Sequence, residues 1–267
     1  MNEIPIYTIL LGMGTLILMA IALISFIVYY QRKQFNLQLK QQTEIQNIES
    51  ENQKKLLKNS LEVQEAERRH ISKDLHDEIG GLLSATKLSI KTFSRELKDN
   101  EELYKKVQNT TSLVTEALAQ VRSLSKDLTP RTLENFGLVD SLFEFADKME
   151  PTSKTHFEVS INGLESKERI NKDLELAVYR IVQELTNNSL KHANADNIEI
   201  KLNKGSEFLY LSYSDNGVGF EYEKTKNDIK SGLGLDNIIS RVNVMNGVCN
   251  FTSAPNKGTQ VEIRIPV

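Results

Sequence analysis

The sequence predicts three successive architectures: a transmembrane helix with a helical stalk, an α-helical hairpin that pairs into a dimeric four-helix bundle, and a C-terminal α+β sandwich. Three observations predict them. No charged residue occurs from Ile4 to Tyr30. Apolar residues then recur at steps of three and four on both sides of a short polar break at Lys98, Asp99 and Asn100, the spacing of amphipathic helices. After Pro151 the texture changes to short alternating runs, FEVSI, IEIKL, LYLSYS and VEIRIPV, which read as strands.

The first element, residues 4–30, spans about 40 Å at 1.5 Å per residue, beyond the roughly 30 Å hydrocarbon core, and is predicted to cross a membrane. A signal peptide is the competing reading. The segment is long, lacks a basic residue ahead of it and shows no clear small-residue cleavage site. Arg32 and Lys33 come immediately after it while the leading end offers only Glu3. The positive-inside tendency therefore places the residues after 31 in the cytoplasm of a single-pass inner-membrane protein. Too few residues lie outside for an extracellular sensing domain, and input is expected through the membrane segment, a separate membrane sensor or the cytoplasmic helix. The one cysteine, Cys249, fits a reducing compartment. A formal charge of −3 gives no reason to expect nucleic acid as a partner.

The stalk, residues 31–65, is rich in Gln, Asn, Lys and Glu and lacks Pro and Gly. Its apolar positions are too irregular for a definite heptad register, so a coiled coil and a solvated single helix are both open. In the hairpin, residues 66–130, Ile71, Leu75, Ile79, Leu82, Thr86, Ile90, Phe93 and Leu97 form the first stripe. Val107, Thr111, Val114, Leu118, Val121, Ser125 and Leu128 form the second, and Pro130 stops it. One hairpin cannot bury such faces alone. It either pairs with a second copy or docks on its own C-terminal domain.

His76 sits one residue past the first stripe, on its flank. Gly80, one turn later, lacks a side chain that would lean over the imidazole. Around it, Glu67, Arg68, Arg69, His70, Ile71, Leu75-His76-Asp77 and Gly80 resemble the phosphoacceptor box of sensor histidine kinases. More narrowly, they resemble the subfamily that includes the bacterial nitrate sensors and works with LuxR-type response regulators. The resemblance implies autophosphorylation of His76, with Asp77 orienting the imidazole or accepting its proton. The sequence departs from the pattern at Gly81, where many relatives carry a Gln used for phosphatase activity, which predicts weak dephosphorylation of the partner. LTPRTLENFGL, Leu128 to Leu138, is similar to the subfamily's linker, placed at 131–150.

The C-terminal domain, 151–267, carries a long helical pattern from about Asn171 to His192. Leu174, Val178, Ile181 and Leu185 are its core stripe, and Arg180, Glu184, Asn188 and Lys191 lie on another face, which is either a working surface or simply solvated. Asn is a poor helix-interior residue, and Asn187 and Asn188 stand together. An amide oxygen there suits Mg²⁺. Three glycine-bearing segments come next: Asp215-Asn-Gly217-Val-Gly219, Gly232-Leu-Gly234-Leu and Lys257-Gly258-Thr259. Glycine permits close backbone approach, and helix-opening amides suit phosphate.

In this order, QELTNNSLKHA, DNGVGF, SGLGLDNIISRV and NKGTQVEI resemble the nucleotide-binding boxes of the GHKL-type ATPase fold. The resemblance implies ATP and Mg²⁺ as cofactors, Asn188 as metal ligand and Glu184 as its water-holding catalytic partner. It also implies Lys191 and His192 near phosphate, Asp215 on adenine, and Gly217, Gly219, Gly232, Gly234, Gly258 and Thr259 in the binding boxes. Residues 221–231 would form a short lid whose Lys224, Lys226 and Lys230 either close on phosphates or are solvated. The expected activity is an ATP-dependent protein-histidine kinase, homodimeric, passing phosphate to an Asp of a separate response regulator. Two rivals stand beside it: a non-catalytic ATP-binding membrane scaffold, and a GHKL ATPase or Ser/Thr kinase, which leaves the His76 helix unexplained.

Overall fold

The computed structural model describes residues 6–96, 100–221 and 233–267. Its contacts divide after Leu56 into one unit ending there and a second running from Leu57 to Val267. The first unit is helix throughout its described length, with apolar side chains such as Leu10, Leu16 and Phe26 exposed. It belongs to α1 (Ile6–Asp74), the one helix among the described residues that is long and apolar enough to cross a membrane.

In the second unit, α1 ends in a π-helical turn, Leu75–Ile79, which leads into α2 (Gly80–Glu96). The Gly80 N–H donates to the Leu75 carbonyl, closing the wider turn. Sequence periodicity assumes an unbroken α-ladder here, whereas one extra residue is accommodated at the histidine itself. The chain returns along α3 (Glu101–Leu128), opened by Asn100, whose side chain accepts the Leu103 N–H at 3.1 Å. The α3 stripe from Val107 to Leu128 is buried or half-buried. The α2 stripe differs: Ile79, Leu82 and Phe93 point outward, and Leu83, Ile90 and Ser94 are the more covered positions. A reciprocal pair pins the hairpin near its base. Ser72 Oγ donates to the Ser125 carbonyl at 2.8 Å and Ser125 Oγ to the Ser72 carbonyl at 3.0 Å.

Two further helices, α4 (Arg131–Phe136) and α5 (Leu138–Ser153), occupy the stretch with the linker-like sequence. Leu138, Leu142, Phe145 and Ala146 recur at helical spacing and enter the core of the sheet domain. That domain continues with β1 (His156–Asn162), α6 (Lys172–Asn188), a second π-helical turn (Ser189–Ala193), β2 (Asn197–Lys204), β3 (Phe208–Asp215), α7 (Leu233–Val244), β4 (Val248–Ser253) and β5 (Thr259–Pro266). The sheet runs β1-β2-β3-β5-β4, with β1 and β2 parallel and the other pairs antiparallel. Strand β4 is not one of the four alternating runs. It is an edge strand whose inward positions, Cys249 and Phe251, are only half-covered, so its hydrophobic alternation is faint.

The core lies between the sheet and α5, α6 and α7. Val178, Ile181, Leu142, Ile198, Ile200, Val261 and Ile238 are each at most 1% exposed. Glu175 is equally buried, but Arg169 grips its carboxylate at 2.7–3.1 Å and the Ile170 N–H adds a bond at 3.0 Å. A buried carboxylate held this way fixes the approach to α6.

Candidate functional site

Two separate places collect the chemically suited residues. The first is a cavity of about 470 Å³ between α6, the ends of β3 and β5, and the start of α7. Pairing of β3 with β5 sets Asp215, the last residue of β3, opposite Thr259, the first of β5, so both stand at the same end of the sheet. Asp215 is 7% exposed. Its Oδ2 accepts Ser189 Oγ–H at 2.7 Å and its Oδ1 the Gly217 N–H at 3.0 Å. Tyr213 donates in turn to Ser189 Oγ at 2.8 Å, and burial pushes its phenol well above the ordinary value, keeping it a neutral donor. The chain of donors ends on the carboxylate and fixes its rotamer while lone pairs remain for a ligand.

Glu184 and Asn188, one turn apart on α6, line the same cavity. Their side-chain ends lie over Gly234: a methyl there would sit 2.8 Å from Glu184 Oε1, 3.3 Å from Asn188 Nδ2 and 3.6 Å from Asn188 Oδ1, so the Glu184 carboxylate would have to shift. Gly258 has φ +71°, and a side chain at this position would run into the Asp215 carbonyl oxygen. His192, Gly219 and Thr259 also line the cavity. Gly217 abuts Ala193. Lys191 is exposed beside the cavity rather than in its wall. Gly232 and the lid with Lys224, Lys226 and Lys230 lie outside the described residues. Sequence reasoning missed Ser189, Tyr213, Phe220 and Phe251 in this wall. Phe220 directly follows Gly219, which was the available signal.

The second place is His76. It lies in the first π-helical turn, half exposed, and its Nδ1 is 3.0 Å from Asp77 Oδ1. Adjacent residues on an α-helix do not normally face each other; the wider turn brings this pair together. An ionised carboxylate can only accept, so Nδ1 carries the proton, and in the neutral ring Nε2 is then the nitrogen with the lone pair. A shallow cavity of about 290 Å³ beside it is lined by residues of the hairpin alone, including Gly81 and Arg122. A methyl at Gly80 would meet only the Leu75 carbonyl oxygen at 3.6 Å, an ordinary contact. A methyl at that position would therefore leave His76 uncovered.

Residues 67–133 match the family model "Histidine kinase", and residues 173–267 match "Histidine kinase-, DNA gyrase B-, and HSP90-like ATPase". The chain carries both domains of a histidine kinase. Among curated relatives, the oxygen sensor histidine kinase NreB of Staphylococcus carnosus is 31% identical over 84% of this chain and 63% of its own length. The signal transduction histidine-protein kinase/phosphatase DegS of Brevibacillus brevis is 29% identical over 78% and 53%. The sensor histidine kinase LiaS of Bacillus subtilis is 30% identical over 75% and 54%. The chain thus spans between about half and two thirds of the length of these relatives. A solved histidine kinase domain from Erythrobacter litoralis aligns with a TM-score of 0.42 at 19% identity, covering 66% of this chain and 95% of its own. These kinase domains have the nitrate-sensor-like hairpin followed by a GHKL-type ATPase fold.

Proposed function

We propose that this chain is a membrane-anchored, dimeric sensor histidine kinase that transfers the γ-phosphoryl of MgATP to His76 and then to an Asp of a separate response regulator of the LuxR type. The observation that carries the reading is His76 with Nδ1 held by Asp77 and Nε2 open. The lone pair of Nε2 attacks the γ-phosphorus, the bond to the β,γ-bridging oxygen breaks, and ADP leaves with that oxygen. The positive charge reaching the ring is offset through the Nδ1 proton by the Asp77 carboxylate.

The cavity fits the nucleotide. Asp215 offers a fixed acceptor for an exocyclic amine, and the paired Glu184 and Asn188 oxygens are hard donors suited to Mg²⁺ and its waters. Bound there, the ion would neutralise phosphate charge. Asn188 would hold it, Glu184 would orient a coordinated water, and His192 and Lys191 would meet phosphate oxygens. Exposed Ile79 at the end of the π-helical turn and Leu82 and Phe93 on α2 support burial against a second copy, and the apolar segment of α1 supports anchoring in the inner membrane.

Labelling the full chain in lipid nanodiscs with γ-labelled ATP and Mg²⁺, beside His76→Gln and Asn188→Ala, tests the reading. Acid-labile, alkali-stable label is expected on the parent. It should vanish in His76→Gln and fall at least about tenfold in Asn188→Ala. Undiminished label in His76→Gln, or stable phosphoserine on a partner, would overturn it.

A further inference from the structure

Asp215, Thr259 and Ser253 form a row across neighbouring strands at one end of the sheet. Thr259 of β5 is paired with Asp215 of β3 on one side and with Ser253 of β4 on the other. Each falls on the inward parity of its strand, shared with Tyr213, Val261 and Phe251. Asp215 and Thr259 line the nucleotide cavity, whereas Ser253 stands behind its wall.

The Ser253 Oγ lies 2.9 Å from the Gly258 carbonyl oxygen, 3.0 Å from the Phe220 nitrogen and 3.2 Å from Thr259 Oγ1. A hydroxyl has one proton and two lone pairs, so this set is full. A carbonyl only accepts and a backbone N–H only donates. The Ser253 proton therefore goes to Gly258, and one lone pair receives the Phe220 N–H. The other lone pair faces Thr259, so the Thr259 proton points at Ser253 and only oxygen lone pairs are left to face the cavity. The backbone around this hydroxyl is closely fitted. Gly219 and Gly258, at φ +60° and +71°, abut the carbonyls of Ala254 and Asp215, and the Asn256 N–H donates to the Val218 carbonyl at 2.6 Å.

Beside Thr259, the Asp215 carboxylate also presents lone pairs, its own donors being Ser189 Oγ–H and the Gly217 N–H. This end of the cavity is thus a double acceptor. An exocyclic amine carries two N–H groups and can satisfy both oxygens. A ring carbonyl in its place would bring a third acceptor against them and lose the hydrogen bonds it makes in water. Resting on the reading of the cavity as an ATP site, we propose that Ser253 is a specificity-determining residue. By taking the Thr259 proton it makes the site select an aminopurine over an oxopurine. It acts through Thr259 and does not itself touch the nucleotide.

The test compares ATP with ITP, which carries a ring carbonyl where ATP carries the amine. Both compete against a fluorescent ATP analogue on the full chain in lipid nanodiscs. The parent should prefer ATP. In Ser253→Ala the Thr259 hydroxyl is free to turn and donate, so the preference should fall about tenfold, the worth of about one hydrogen bond. Ser253→Thr retains the hydroxyl and should retain the preference. Thr259→Val removes the same acceptor while leaving the Phe220 contact to Ser253 in place, and should also lower it. A serine that only supports the loop would weaken both nucleotides alike. An unchanged ratio in Ser253→Ala, an equal fall in Ser253→Thr, or a parent that binds ATP and ITP equally would overturn the proposal. A parent that binds neither nucleotide would overturn the ATP reading itself.

Discussion

Leu82 in the hairpin and Ile181 in the C-terminal domain are both aliphatic residues on the apolar stripe of a helix, yet Leu82 is 66% exposed and Ile181 fully buried. The contrast extends along both elements. Ile79 and Phe93 accompany Leu82 outward, whereas Leu174, Val178 and Leu185 accompany Ile181 against the sheet. The C-terminal domain has two layers and satisfies its own stripe. The hairpin has one layer, and its outward stripe is complete only against another surface. The same periodicity therefore fills a core in one region and leaves an apolar face open in the other.

Introducing a charge at Leu82 puts this distinction to its strongest test. Leu82→Glu should convert the protein from dimer to monomer in analytical ultracentrifugation while leaving nucleotide binding intact. A persistent dimer would mean that the outward stripe is not the interface. Ile181→Ala should act in the opposite region, lowering the stability of the C-terminal domain by about 2–5 kcal/mol. Its thermal shift should not depend on protein concentration, since no assembly is involved. A concentration-dependent shift would blur the contrast. The smallest effect is expected from Gly234→Ala, where a methyl 2.8 Å from Glu184 Oε1 should weaken nucleotide binding about tenfold and leave stability within about 1 kcal/mol. Equal affinity would show that α7 is not held against α6 when nucleotide binds.

Much of this was legible because it is written in local spacing. The α3 stripe from Val107 to Leu128 and the α6 stripe from Leu174 to Leu185 needed only a 3.6-residue period. Glu184, Asn188 and Asp215 could be singled out because a polar helix face and a strand end carried unusual letters. Leu138, Leu142 and Phe145 carried the same helical signal within a stretch that reads as linker, framed by Pro130, Gly137 and Pro151. The π-helical turns left no such trace, since one extra residue scarcely alters a run of apolar steps. Nor could spacing reveal Glu65 with Arg180, which are 115 residues apart in the chain, or Ser189 beneath Asp215, which depends on how α6 meets β3.

The π-helical turn at His76 also sets an angular relationship. Upstream of it α1 presents Glu65 toward the C-terminal domain; downstream α2 presents Leu82 away from the hairpin's inner face. A π turn holds one residue more than the α turn it replaces. Removing that residue would leave a perfectly good helix with every hydrogen bond made, but rotated by about 100° from there onward. The acid and the leucine could then no longer both meet their surfaces. The surplus residue acts as a shim between two gears, and the histidine is mounted on the shim.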